Sequence, residues 1–251
     1  MKPRLIILIP ILLILISCSA KAELNAHKIK NSSELSTGAG YEVESSNYSK
    51  NEINITYPKL VHLDNDTYRD EINELIQEDA IKIIEFYSLE EGNLDIDYRV
   101  TFKNNDFLSF QYLGSFFSKG AAHPLNIFYT SNIDLKKAVK VKLSDLLEMN
   151  ESFVEKFKRD NYKSFDDNLD LLEEGVMEEL WSVYSDEDLL NYFHQADETG
   201  RINESGTFSY LTEDSIGVSI SIPHALGDHL EMEISFADLG GYIKKDSLLN
   251  F

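Results

Sequence analysis

The chain has 251 residues, 44 of them acidic and 23 basic, giving a formal net charge of -21. That excess argues against a nucleic-acid binder, because phosphate contacts need clustered Lys and Arg, and against electrostatic docking on anionic lipid. Hydrophobic residues at 43% and aromatics at 11% suffice for a folded core, and the length suits one large domain or two small ones.

Met1-Lys2-Pro3-Arg4 is basic, and Leu5–Ile16 is a run of Leu and Ile broken only by Pro10. A bilayer span needs about 20 apolar residues, so the run is too short for one and fits a secretory signal over residues 1–17. Leu15-Ile16-Ser17-Cys18 follows, similar to the bacterial lipobox, in which the cysteine receives diacylglycerol before cleavage. Cys18 is the only cysteine in the chain. The expected mature protein therefore has no thiol for a disulfide or a nucleophile. It would sit at the bacterial cell surface or in the periplasm, held to the membrane by lipid without spanning it. Loss of Lys2 and Arg4 with the signal leaves 21 basic residues against 44 acidic ones, a net charge of -23.

Residues 18–51 are rich in Ser, Asn, Lys and Glu and lack apolar periodicity, which predicts a flexible lipid-attached tether. Ile53, Ile55 and Tyr57 alternate with polar residues as in a strand. Thr67–Ser88 carries Ile72, Leu75, Ile76, Ala80, Ile83 and Ile84 at helical spacing, behind the potential cap Thr67. Strands are predicted at Leu94–Lys103 and Phe107–Phe117, joined by the turn Asn104-Asn105-Asp106, then at Leu125–Asp134 and Val139–Lys142. Ser144–Tyr192 reads as largely helical. Strands return at Gly206–Leu211, Ser215–Ile222 and Leu230–Phe236, followed by an Ala237-Asp238-Leu239 turn. This order predicts an α+β fold with a mainly antiparallel sheet and packed helices.

Three segments carry a family resemblance. They are Gly120-Ala121-Ala122-His123-Pro124 leading to Asn132-Ile133-Asp134-Leu135 and Leu143-Ser144-Asp145-Leu146; Phe208-Ser209-Tyr210-Leu211-Thr212; and Pro223–Asp228, closed by Ala237-Asp238-Leu239. Their order resembles the domain of unknown function 3298, with Ala121 standing where that family usually has a second glycine and Ser209 falling within its Phe-Tyr pair. Residues 52–118 are similar to the 4163-type domain that usually precedes it. The resemblance implies a boundary near 118/119, dividing a domain at 52–118 from one at 119–251. It also implies one of two functions. Such a domain pair forms the extracellular, lysozyme-binding part of a membrane anti-sigma factor, and a similar region accompanies a peptidoglycan deacetylase.

Gly120, Ala121 and Ala122 leave backbone uncovered beside His123, a loop that a ligand could approach closely. His224 and His229 flank a turn and, with His123, could form a three-histidine metal site with Asp228 as fourth ligand or orienting partner. The bland alternative is a polar turn between two strands. Asp166, Asn168 and Asp170 open like a calcium loop, but Leu171 and Met177 stand where Gly and Glu are needed. Ser164–Glu198 holds twelve Asp or Glu and no Lys or Arg. Asp170, Glu174 and Glu178 there share one predicted helical face, which reads either as a solvated surface or as a docking face for a cationic partner. Phe116 and Tyr129 are candidate aromatic anchors. The expectation is thus a non-catalytic binding module without cofactor, whose partner is a cationic protein such as a lysozyme, or peptidoglycan. The alternative is a peptidoglycan-modifying enzyme or its accessory subunit.

Overall fold

The computed structural model describes residues 40–63, 65–87, 92–159, 162–164, 176–199 and 206–249. The expected signal segment at 1–17, Cys18, and the calcium-like run at 166–170 lie outside them.

The chain enters at Gly40, whose N–H donates to Asn105 Oδ1 at 2.7 Å. Tyr41 is buried, and β1 (Glu42–Lys50) pairs along its whole length with β2 (Ile53–Val61) in an antiparallel hairpin. This corrects the expected tether, which cannot extend to residue 51. β1 buries almost none of its side chains, so no apolar alternation marks it in the sequence. In β2 the alternation is genuine, with Ile53, Ile55 and Tyr57 all buried.

Helix α1 (Asp66–Lys82) starts one residue before the predicted Thr67. Asn65 is the cap, its side chain accepting from the Thr67 and Tyr68 amides. Ile72, Ile76 and Ala80, four apart, form its buried stripe. Asn73 binds the helix to β2: its amide donates to the Leu60 carbonyl at 2.9 Å and its oxygen accepts from the Leu60 N–H at 2.7 Å. The last predicted turn tightens into a 3-10 helix over Ile83–Phe86. Because α1 is a crossover, β3 (Gly92–Lys103) pairs with β2 in parallel, over Ile53–Ile55.

β4 (Phe107–Ser118) follows across an Asx turn, in which Asn104 Oδ1 accepts from the Asp106 and Phe107 amides. β5 (Leu125–Asp134) pairs with β4, and the two-residue β6 (Val139–Lys140) closes the first sheet in the order β1-β2-β3-β4-β5-β6. The strands on either side of the expected 118/119 boundary share this sheet, β4 and β5 being partnered from Phe107–Asp134 to Phe116–Leu125.

The predicted helical region resolves into short pieces: α2 (Leu143–Leu146), α3 (Glu151–Phe157), α4 (Val176–Val183) and α5 (Asp186–His194). A strand, β7 (Tyr162–Ser164), interrupts them. With β8 (Phe208–Leu211), β9 (Ser215–Ser221) and β10 (His229–Ser235) it forms the second sheet, antiparallel, in the order β7-β10-β9-β8. The expected turn at 237–239 is the one-turn helix α6 (Phe236–Leu239), capped by Ser235. The fold is α+β, with a mixed and an antiparallel sheet.

Alternation in the second sheet decides what covers each face. Ile216, Val218, Ile220, Leu230, Met232 and Ile234 join one apolar cluster with α3, α4 and α5. The opposite face lies against β5, where Phe208 meets Tyr129 at 4.9 Å between ring centroids and Tyr210 meets Phe128 at 6.1 Å. A second apolar cluster lies between the first sheet and α1.

Candidate functional site

Beside those rings, the contact between the sheets is polar. Thr130 and Asn132 of β5, both buried, reach Ser209 of the second sheet, while the buried Ser131 bonds to Asp79 of α1. Asn132 donates to the Ser209 carbonyl at 2.9 Å and accepts from Ser109 Oγ at 2.7 Å. Asp197 is 1% exposed and accepts from the Ser209 N–H (2.6 Å), the Ser209 hydroxyl (2.7 Å) and the Leu143 N–H (2.6 Å). Burial pushes its carboxyl above the ordinary range, opposed by those donors and by the Lys140 charge. Asp79 of α1 accepts from Ser131 and Thr199 and lies 2.7 Å from Lys140 Nζ. Asn132, Leu143 and Ser209 come from the family-like motifs, so much of what those motifs specify is this internal seam.

At one end of the seam the sheets part. The opening is a half-open cleft of about 320 Å³. Phe86 and Tyr87 from the end of the 3-10 helix after α1, Tyr129 from β5 and Phe208 from β8 supply its rings, and Asn126, Ser221 and Asp228 its polar edge. Tyr87 and Tyr129 join through their hydroxyls at 3.3 Å, and the Phe86 and Tyr129 rings lie 6.0 Å apart.

Asp228 organises the rim. It follows Gly227 (φ 106°) in the β9–β10 turn and itself has φ 73°, a left-handed conformation that Asp tolerates better than most residues. Its Oδ2 accepts from the Asn126 N–H at 2.8 Å, and its Oδ1 lies 2.8 Å from His224 Nδ1. Asn126 also donates from its side chain to the Gly227 carbonyl. The start of β5 is thereby held to the β9–β10 turn, 102 residues later.

The histidines have separate surroundings. His123 is exposed on the β4–β5 loop, His224 pairs with Asp228, and His229 is 4% exposed beneath the cleft. Among the described residues no three His, Cys, Asp or Glu side chains are grouped so as to hold a metal ion. Gly120, Ala121 and Ala122 are exposed, with Gly120 at φ 85° and open space around it. Of the proposed anchors, Tyr129 lines the cleft, whereas Phe116 is buried against Tyr87. Phe86, Tyr87 and Asn126 were missed because they lie outside the motifs and meet only through the packing of α1 on β5.

The acidic segment changes character too. Asp170 and Glu174 lie outside the described residues, and Glu178 is exposed on α4. Asp197 is internal, Asp188 is taken up in the capping box of α5, and Asp186 and Glu198 pair with Lys158 and Lys142. These cations come from earlier in the chain, so two of the segment's acids are paired in space with charges distant in sequence.

His229 gives the fold a pH dependence. Burial lowers its pKa to about 4, with Asp228 pulling it partly back up. Between the ordinary value near 6.5 and about 4, the unfolded chain binds a proton that the folded one refuses. Stability should therefore fall as pH drops through that window, by about 3 kcal/mol in all. Urea midpoints measured from pH 7.5 to pH 4 should fall less steeply for His229→Phe than for wild type. Parallel curves would show that His229 contributes no such term.

No family model matches the sequence, and no curated protein matches it. Two solved structures are similar to the fold. One is a member of the domain-of-unknown-function 3298 family from Bacteroides fragilis, with TM-score 0.48 and 14% identity, covering 82% of this chain and 94% of that one. The other is a protein of the same family from Pseudomonas aeruginosa, with TM-score 0.43 and 11% identity, again covering 82% and 94%.

Proposed function

We propose that this chain is a lipid-anchored extracytoplasmic binding module for a cationic protein, and that a lysozyme-type muramidase is the partner. The observation that carries the reading is how the charge is distributed. Arg69, Lys136, Lys137, Lys140, Lys142 and Lys158 all pair with acids of this same chain. The acid excess behind the -21 is thus what a partner meets, and a basic protein would be drawn to it from a distance. The motif resemblance supports the same partner. The anchor is supported by the short apolar run ending in Leu15-Ile16-Ser17-Cys18.

The test uses the full chain, purified in detergent and immobilised, with lysozyme as analyte. Saturable binding at 0.15 M salt, weakened at least tenfold at 0.5 M, is expected because surface charge is screened within about 8 Å at physiological ionic strength. Absence of binding at 0.15 M, with retention on insoluble peptidoglycan instead, would replace this reading by a wall-binding one. In cells, Cys18→Ala should abolish lipid labelling and release the protein from the membrane fraction. Undiminished labelling would sink the anchor.

A further inference from the structure

We propose that the cleft receives a single cationic side chain, a guanidinium or ammonium presented by a protein partner, with Asp228 as its charge partner. The proposal rests on the binding-module reading and names the chemistry of its site. Among the described residues that line the cleft, Asp228 is the one carboxylate and none is Lys or Arg. Its side chain is 13% exposed and is fixed from two sides, by the Asn126 N–H and by His224. A carboxylate accepts about four hydrogen bonds, so these two contacts leave further acceptor capacity on a side chain that lines the cleft.

The remaining walls suit the same guest. Phe86 is 39% exposed at the cleft, with Tyr87 and Tyr129 beside it. Aromatic faces attract a cation through their quadrupole, and the alkyl stem of Arg or Lys covers such rings while its head stays polar. Asn126 and Ser221 can take up further N–H donors of a guanidinium. A volume of about 320 Å³ admits one extended side chain, whereas a helix about 10 Å across would not enter. A neutral sugar would use the rings but leave the oriented carboxylate without an opposite charge.

The experiment titrates the full chain in detergent, with ring-labelled tyrosine, against three probes: Nα-acetyl-arginine amide, its neutral citrulline isostere and N-acetylglucosamine. The arginine amide should bind in the millimolar range, shift the Tyr87 and Tyr129 ring signals and compete with lysozyme. The citrulline analogue should bind at least tenfold more weakly. Asp228→Asn keeps an acceptor for the Asn126 N–H and should weaken arginine binding at least fivefold, and Phe86→Ala, a half-exposed position, at least threefold. Equal binding of the citrulline analogue, tighter binding of the sugar, or an unchanged Asp228→Asn affinity would overturn the proposal. Lysozyme binding that is undiminished in Asp228→Asn would overturn it too, while leaving the partner in place. Arginine binding without any lysozyme binding would uphold the cleft and remove lysozyme as the partner.

Discussion

Asp197→Ala should destabilise the protein by about 4 kcal/mol, read as a lowered denaturant midpoint with little change in slope. The side chain accepts two backbone N–H groups and the Ser209 hydroxyl, all buried. Alanine would leave the Leu143 and Ser209 amides without their acceptor, and each buried orphan of this kind costs about 1–3 kcal/mol. Position 197 also has φ 69°, which adds strain for Ala but less for Asn. Asp197→Asn retains one acceptor oxygen and should lose clearly less than Ala. A loss below about 1 kcal/mol for Ala would mean that water replaces the carboxylate and that the seam is not closed.

Lys140→Met should cost about 3–5 kcal/mol, because it strands Asp79 in the interior. Asp79 is 2% exposed and would keep only the hydroxyls of Ser131 and Thr199. The reverse order of changes is informative. Once Asp79→Asn has removed the charge, Lys140→Met should cost much less, giving a coupling of about 1–3 kcal/mol in the double-mutant cycle. An additive cycle would show that the Lys140–Asp79 pair, though 2.7 Å apart, contributes nothing specific.

Strands with apolar residues at every second position were legible in the sequence. β2, β3, β9 and β10 announce themselves by alternation, and α1 by its apolar stripe. β1 was not, because an edge strand paired on one side needs little apolar surface. The region after Ser144 misled because isolated apolar residues at helical spacing do not reveal where a chain breaks to supply β7. The cleft was half legible. Asp228 and Tyr129 were nominated, but as a metal ligand and an anchor in separate places. Their meeting depends on a hydrogen bond between Asn126 and Asp228, a distance in sequence that no local pattern encodes.

The seam also orders events in time. A chain emerging from its N-terminus can complete all six strands of the first sheet by Lys140. Thr130 and Asn132 on that sheet must then wait for the Ser209 carbonyl, 79 and 77 residues further along. Until it arrives, the Thr130 hydroxyl and the Asn132 amide lack this acceptor, beside an uncovered Phe128. Contacts this distant make folding slow. The half-made protein is therefore the species that a chaperone or a protease would meet.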